Sequence, residues 1–366
     1  MSHCVPVFSR TGRPRQVIAA SLHVPLVVTD IRHMVAAEQT ETSERLIAQH
    51  LQQPFYLDQL PLIRTALLRL ADDWHILVIT MHHSIADGWS FDLLFRELAT
   101  AYTSYTHGQQ PDLPVLSLQY ADFAYWQRHW LQGQVQTEQL RYWQEQLHAA
   151  PALLDLPTDY ARPPEQSFRG DVYRHLLPSK LIEQVVTVGR PSGATLFMTL
   201  LAAWAVLLAR YSRQMDLLIG TPIANRTRSD IEGLVGFFAN TLVLRLRLAP
   251  NMSFRALLQQ TREVTLNAYT HQDVPFEALV EVLQPERTLR SHPLFQVMVD
   301  SIPRHALVLP GLAVEHMPVH TGTAKFDLTL LLEERDDGMM AVWEYATDLF
   351  ADTTIKRMAG HFCRAA

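Results

Sequence analysis

The alternation of apolar and polar residues along the chain predicts short strands and amphipathic helices. Residues 60–70 and 74–81 have the pattern of paired strands, and the second run (WHILVITM) is almost wholly apolar, as expected for a buried strand. Residues 90–105 carry apolar side chains at i, i+3 and i+4 spacing, which predicts an amphipathic helix with Ser90 as its N-cap. A polar loop, residues 82–88, is therefore expected between a buried strand and a helix.

Similar patterns predict elements on both sides of this unit. A hairpin is expected near the N-terminus, from residues 5–9 and 16–20 around a turn-like segment at 11–14. The other predicted helices are residues 44–53, 120–147, 180–189, 195–211 and 253–268, and the other predicted strands are residues 216–222, 241–248, 295–302, 326–334 and 340–345. This alternation of helices with largely β-branched strands predicts an α/β or α+β fold class.

A proline-rich segment divides the chain in two. Residues 151–170 contain four prolines and form the clearest linker in the sequence. We therefore predict an N-terminal subdomain over residues 1–155, a linker over residues 156–170 and a C-terminal subdomain over residues 171–366. The total length of 366 residues is suited to two subdomains.

Composition and charge narrow the functional classes. The net charge of −6 and the lack of a long basic block argue against nucleic-acid binding. The longest apolar stretch, residues 195–208, is shorter than the roughly 20 residues of a membrane span and predicts a buried core helix. The N-terminus lacks the apolar segment of a signal peptide. Two cysteines, Cys4 and Cys363, favour a reducing cytoplasm over a disulfide framework.

Two histidines end the predicted buried strand, in the run MHHSIADG at residues 81–88. A histidine can accept and release a proton near neutral pH. Neighbouring residues of an extended strand point to opposite faces, so one histidine can hold the loop while the other faces a cavity. Asp87 could orient the turn or pair with an arginine, and Gly88 would let a substrate approach closely. A structural role and a metal site remain alternatives, although further metal ligands at customary spacing are missing.

Four further segments accompany this run in a defined order. They are YADFAYW (120–126), VGFFANTLVLR (235–245), HQDVPFE (271–277) and RTLRSHPLFQVM (287–298). Together with MHHSIADGWS they resemble the core motifs of condensation domains of nonribosomal peptide synthetases, over essentially the whole chain. The last motif departs from the family pattern because its Ser/Arg pair is reversed, as Arg290-Ser291.

The two earliest motifs of that family have no counterpart in the sequence. Motifs of the Ser-x-Ala-Gln-x-Arg and Arg-His-Glu-x-Leu-Arg types are absent, and residues 1–20 resemble the hairpin that follows the second of them. The resemblance therefore implies a condensation domain truncated at its N-terminus, without its first strand and helix. A gene fragment, a mis-assigned start and a split synthetase would each account for this.

The resemblance also implies an architecture and a reaction. The expected fold is like that of chloramphenicol acetyltransferase, with two similar subdomains in a V and an active-site tunnel between them. Donor and acceptor carrier proteins would dock at its two mouths, each presenting a thioester on a phosphopantetheine arm. The acceptor amine would attack the donor thioester and form an amide. The domain, an acyltransferase, would be monomeric and cytoplasmic and would itself bind no cofactor or metal.

The family motif assigns roles to residues of the 82–88 loop. His83 corresponds to the second histidine of the motif, which either accepts a proton from the attacking amine or positions that amine and stabilises the developing charge. His82 would be structural. Asp87 would form a buried salt bridge, with Arg226 as the candidate partner, and Gly88 would line the acceptor channel.

Five further residues are candidates for the lining of the tunnel: Trp89, Ser90, Asn240, Thr241 and Gln272. For Asn240 and Thr241 a strand cap is an equal alternative, whereas Gln272 and Asp273 would organise the start of a helix before Pro275. The aromatic YADFAYW motif is expected to serve packing.

Related functions compete with condensation. Epimerization domains share the histidine run but usually differ after its glycine, where Trp89-Ser90 favours condensation, and heterocyclization domains replace both histidines. Recruitment domains of the same fold lose the histidine motif, so an intact His83 argues against that role. An inactive truncated remnant, and a stand-alone acyltransferase acting on a soluble amine, remain alternatives.

Overall fold

The structure is a computed structural model that describes residues 4–8, 14–285, 288–302, 307–317 and 319–365. Its strands are β1 (Cys4–Phe8), β2 (Pro14–Ile18), β3 (Leu26–Asp30), β4 (Ile63–Arg69), β5 (His75–Met81), β6 (Gly170–Pro178), β7 (Asp216–Ile223), β8 (Asn240–Arg247), β9 (Val297–Ile302), β10 (Leu328–Arg335) and β11 (Gly338–Ala346). Its helices are α1 (Ala36–Gln52), α2 (Gly88–Thr106), α3 (Tyr120–Trp130), α4 (Gly133–Leu147), α5 (Ser179–Gly189), α6 (Leu196–Ser212), α7 (Phe254–Thr270), α8 (Phe276–Leu283) and α9 (Asp352–Ala365). Residues 11–13 of the predicted turn, and Arg287 of the last motif, lie outside the described residues.

The described strands form a hairpin and two larger sheets. β1 pairs with β2 in the predicted hairpin, and β3, β4 and β5 form a sheet in that order. The six-stranded sheet has the order β6-β11-β10-β9-β7-β8. Both larger sheets are mixed, because β3 runs parallel to β4 and β9 runs parallel to β10 and β7, whereas the other neighbours are antiparallel. Mixed sheets with helices confirm the predicted α/β class.

The chain divides into two compact units whose limits differ from the predicted ones. The first unit contains Met1–Gln127, Arg226–Phe238 and His305–Thr321, and the second contains Arg128–Asn225, Ala239–Arg304 and Gly322–Ala366. The predicted boundary at residue 155 and the predicted linker over residues 156–170 thus fall inside the second unit. Leu154 and Leu156 are buried in its core, and the Leu154 N–H donates to the Gln296 side chain at 2.7 Å. The prolines therefore mark a packed segment.

The core of the second unit is built around α6. This helix is apolar on nearly every side and is almost wholly buried, which confirms the predicted core helix. Trp204 of α6 makes edge-to-face contacts with Trp343 and Phe362, at centroid distances of 5.2 and 6.0 Å. Among the described helices no single one is long and apolar enough to cross a membrane, although α5 and the following turn pass the same test together with α6, across a 99° bend.

In the first unit, α1 packs on one face of the three-stranded sheet. Ile47 of α1 is buried with Ile31, Leu68 and Leu70. The helix is longer than the predicted 44–53, and β3 was not predicted at all. β3 is largely exposed, because Leu26, Val27 and Val28 are each more than half accessible to solvent.

Two other sequence predictions need correction. The single helix predicted over residues 120–147 is two helices, since α3 ends at Trp130 and Gly133, the first residue of α4, adopts a φ of 60°. The predicted N-cap Ser90 is inside α2, which begins at Gly88. Asp87 is the N-cap because its carboxylate accepts the Ser90 N–H at 2.9 Å.

Candidate active site

The 82–88 loop lies at the junction of β5 and α2. β5 ends at Met81, and the His82 N–H donates to the carbonyl of Leu62 at 2.9 Å. A turn follows, in which the Ile85 N–H donates to the His82 carbonyl at 3.1 Å. The loop is therefore anchored at both ends by regular structure, which holds its side chains in defined places.

The orientation of His83 is set by a hydrogen bond to its own loop. Its Nδ1 lies 2.7 Å from the carbonyl oxygen of Ala86. A carbonyl can only accept, so Nδ1 carries the proton and, in the neutral ring, Nε2 is an acceptor. The ring is exposed and meets Phe237 edge-on, with centroids 4.9 Å apart. His83 thus presents a basic nitrogen on a ring that is fixed in place.

Nδ1 of His82 is an acceptor, unlike Nδ1 of His83. Its Nδ1 accepts the backbone N–H of Ser84 at 3.1 Å and lies 2.8 Å from the Ser84 hydroxyl. Its ring meets Phe55 edge-on at 6.0 Å. These contacts hold the turn.

Asp87 is buried and accepts several hydrogen bonds at once. Besides the Ser90 N–H, its carboxylate accepts the Phe238 N–H at 3.0 Å and lies 2.7 Å from the Ser90 hydroxyl. The structure also brings Asp87 together with Arg226, whose Nη2 donates to the two carboxylate oxygens at 3.2 and 3.4 Å. Both side chains are about 98–99% buried, so the pair is a buried salt bridge.

Arg226 joins the loop to the segment Arg226–Phe238. Its Nη1 donates to the carbonyls of Ile231 and Leu234, at 2.8 Å each. Its guanidinium also stacks over the ring of Phe238, 4.0 Å from the centroid. Burial lowers the pKa of Arg226, and the Asp87 carboxylate opposes that change. The pair therefore fixes two chain segments that are far apart in sequence.

Trp89 and Ser90 bind the same segment. The Trp89 indole donates to the Glu232 carbonyl at 2.9 Å. The Ser90 hydroxyl accepts the Gly236 N–H at 3.1 Å and lies 3.0 Å from the Gly236 carbonyl. Ser90 is buried, so it holds the loop in position, whereas Gly88 is exposed and a Cβ there would meet nothing within 4 Å.

The YADFAYW motif packs against the segment Arg226–Phe238. Phe123 is buried with Ile231, Leu234 and Phe238, and the Tyr120 hydroxyl donates to the Phe237 carbonyl at 2.7 Å. A Cβ on Gly236 would come within 2.3 Å of the Tyr120 ring, so only glycine fits there.

Three predicted residues of the second unit lie around the HQDVPFE segment. Asn240 is buried, and its amide donates to the carbonyls of Gln272 and Val274 while its oxygen accepts the N–H groups of Thr241 and Phe276. Gln272 donates to the Tyr269 carbonyl at 2.7 Å. The Asn240 contacts with Gln272, Val274 and Phe276 tie β8 to the loop before α8 and to the start of α8, whereas the Gln272 side chain bonds back to the end of α7.

Several residues with well-defined contacts were not predicted from the sequence. Phe237, which packs against His83, stands inside a recognised motif but was not singled out. Arg162 pairs with Asp327 in the second unit, where Asp327 is 2% exposed, and Arg245 pairs with Asp216 at 2.6 Å. Pairing between residues so distant in the chain cannot be deduced from spacing alone. No group of three His, Cys, Asp or Glu side chains in the described part could hold a metal.

Comparison with known proteins places this chain in a family. The family model for the condensation domain matches residues 6–365. A linear gramicidin synthase of Brevibacillus parabrevis is 44% identical over 359 residues, which cover 96% of this chain and 5% of that protein. Phosphinothricin tripeptide synthetase PhsC of Streptomyces viridochromogenes is 44% identical over 350 residues, which cover 95% of this chain and 32% of that protein. The chain therefore corresponds to a small part of each relative.

Solved structures share the fold. The X-domain from teicoplanin biosynthesis matches with a TM-score of 0.86 and 27% identity, covering 99% of this chain and 82% of that one. The starter condensation domain of rhizomide synthetase matches with a TM-score of 0.83 over 99% of this chain and 80% of that one. Its identity is 21%, so this second likeness concerns the fold alone.

Proposed function

We propose that this chain, which belongs to the condensation-domain family, joins two carrier-bound acyl groups through an amide bond in nonribosomal peptide synthesis. The donor would be an acyl or peptidyl thioester, and the acceptor an aminoacyl thioester. Both would be carried on the phosphopantetheine arms of partner carrier proteins, so the domain itself would need no bound cofactor. The observation that carries the proposal is the orientation of His83, whose Nδ1 donates to the Ala86 carbonyl and leaves Nε2 as an acceptor.

The reaction needs one proton to move. The acceptor amine attacks the carbonyl carbon of the donor thioester, the C–N bond forms and the C–S bond breaks. The amine loses a proton and the departing thiolate gains one. In this proposal Nε2 of His83 accepts an N–H of the amine, which both orients the nitrogen lone pair and provides the route for the proton.

The other loop residues are proposed to position His83 rather than to react. His82 holds the turn through Ser84, and Asp87 fixes the loop to the Arg226–Phe238 segment through Arg226 and the Phe238 N–H. Gly88 is proposed to face the acceptor, since its exposed backbone carries no side chain to obstruct an approaching group.

A second candidate is a recruitment role. An X-domain has been solved in complex with OxyB and shares 28% identity with this chain, with a TM-score of 0.85. The His82-His83 run and its hydrogen bonds favour catalysis here, because a binding domain has no need of a histidine with a fixed acceptor nitrogen.

The proposal is tested by supplying both substrates to the purified chain. A donor carrier protein loaded with an aminoacyl group, and an acceptor carrier protein loaded with a second one, are mixed with the chain. Mass spectrometry then follows the dipeptidyl thioester on the acceptor carrier. We expect product with the native chain and a loss of about 10²–10⁴-fold in rate with His83→Ala.

His75→Ala is the matched control, since His75 lies at the opposite end of β5 and is exposed. This variant should keep the native rate. Folded native chain that forms no dipeptidyl thioester would refute the proposal and favour an inactive or recruiting domain. Product that forms only when the acceptor is a soluble amine would instead support the stand-alone acyltransferase.

A further inference from the structure

We propose that a basic groove on the second unit binds an acidic peptide segment of a partner protein. The groove has a volume of about 600 Å³ and is open to solvent. Its basic residues are Arg210 and Arg213, at the end of α6, and Arg357 of α9. This proposal does not depend on the amide chemistry proposed above.

The three guanidinium groups have no carboxylate partner among the described residues. Arg357 donates to the Thr354 hydroxyl at 3.1 Å, and Thr354 in turn bonds to Asp159. Some other arginines of the same unit pair with carboxylates, as Arg162 does with Asp327 and Arg245 with Asp216. The groove thus brings together three guanidinium groups, none of which forms a salt bridge with a described residue.

The lining of the groove carries an excess of positive charge. Asp155 is the acidic residue of its lining, and its carboxylate also acts on Arg162, whose pKa it helps to raise. The Asp155 N–H donates to the Gln214 side chain at 2.8 Å, which holds Asp155 in place at the groove. With three cations and one anion, the lining repels further cations and attracts an anionic ligand.

The groove is preformed by rigid elements. α6 and α9 both belong to the core of the unit, and the Tyr211 hydroxyl lies 2.8 Å from Nδ1 of His361 across the two helices. Arg213 terminates α6 in the left-handed conformation, with a φ of 58°. A non-glycine residue seldom adopts that conformation, which here directs the chain so that Arg213 lines the groove beside Arg210.

An acidic peptide suits this site better than an enclosed small molecule. Guanidinium groups form paired hydrogen bonds with carboxylates, and three of them along an open groove can hold successive acidic side chains.

The test measures binding of a fluorescein-labelled hexaglutamate peptide to the full chain by fluorescence anisotropy. We expect saturable binding that weakens as ionic strength rises, because exposed charges are screened by salt. Arg210→Ala, Arg213→Ala and Arg357→Ala combined should raise the Kd by about tenfold or more.

The matched control removes the same charge elsewhere. Arg174, Arg190 and Arg255 are exposed arginines of the same unit outside the groove, and their combined change to Ala should leave the Kd within about twofold of the native value. An equal loss of affinity in both triple variants, or no binding by the native chain, would overturn the proposal. Displacement of the peptide by inorganic pyrophosphate, at a concentration too low to act through ionic strength, would also overturn it in favour of a phosphate ligand.

Discussion

At the scale of single residues, the Asp87 carboxylate connects the loop of His83 to the rest of the first unit. It caps α2, accepts the Phe238 N–H and pairs with Arg226. A buried charge that loses its partner is expensive, because the remaining ion stays desolvated. The role of Asp87 is therefore positional, through contacts that hold the loop.

This role predicts a large loss of stability. Asp87→Ala should lower the free energy of unfolding by about 3–5 kcal/mol, since it leaves Arg226 buried without a counter-ion. Adding Arg226→Met should recover part of that loss, because the unpaired charge is then removed. Urea denaturation of the native chain, both single variants and the double variant measures the coupling. Strictly additive losses would show that the two side chains do not stabilise each other.

Two glycines near the loop should differ in how far replacement by alanine lowers the stability of the fold. At Gly236 the new Cβ would lie 2.3 Å from the Tyr120 ring, so the unfolding free energy should fall by about 1–3 kcal/mol. At Gly88 the Cβ meets open space, so Gly88→Ala should keep the stability within about 1 kcal/mol. If Gly88 faces the acceptor, this second variant should nevertheless form the dipeptidyl thioester more slowly. Full activity of the stable Gly88→Ala chain would contradict that placement.

Among the strands, β9 carries an acidic side chain, Asp300, whose burial disfavours its charged form. Asp300 lies between the neighbouring strands of the sheet, opposite Leu331 of β10, and burial raises its pKa from 3.8 to about 6. The folded chain therefore binds a proton at Asp300 more tightly than the unfolded chain does. The contribution of this group to stability is greatest below pH 4 and is lost as the pH rises to about 6.

Asp300→Asn should remove that part of the pH dependence. Above about pH 6 the variant should be more stable than the native chain, by about 2–3 kcal/mol, and near pH 4 the difference should vanish. Thermal or urea unfolding of both proteins between pH 4 and pH 8 checks this. A constant difference across the whole range would show that Asp300 does not titrate in this window.

β3 is a poorly protected element of the first unit. It is an edge strand, and Leu26, Val27 and Val28 are 51–58% exposed. Exposed apolar edge strands favour pairing between chains. We expect the native chain to self-associate with rising concentration in sedimentation velocity, and Val28→Lys to reduce that association. Val188→Lys, on an exposed valine of α5, should not. A native chain that stays monomeric throughout would contradict the expectation and agree with the monomer that the family resemblance implies.

The same elements show what the sequence could predict. The apolar run of β5 and the period of α2 located the His83 loop correctly, because both are local patterns. The start of α2 was misplaced, since Ser90 and Asp87 are both good caps and only the carboxylate of Asp87 reaches the Ser90 N–H. β3 was missed because its apolar residues lie on an exposed edge and lack the alternation of a half-buried strand.

For the whole molecule, the limits of the two units could not be predicted from local sequence patterns. The segment Arg226–Phe238 belongs to the first unit although residues 128–225 before it belong to the second. The segment is held in the first unit by contacts such as those of Arg226 with Asp87 and of Gly236 with Ser90. These contacts join residues far apart in the sequence, so the spacing of residues does not reveal them. The five ordered motifs did indicate the family, because each preserves contacts that the fold needs.

The rate of dipeptidyl thioester formation shows whether His83 serves amide formation through Nε2. The single-turnover rate of dipeptidyl thioester formation is compared for the native chain, His83→Ala and His83→Gln, with both carriers loaded. We predict that both variants lose about 10²–10⁴-fold, because glutamine can accept a hydrogen bond but cannot take up the proton. A native rate in His83→Ala, in a folded protein, would contradict this role of His83.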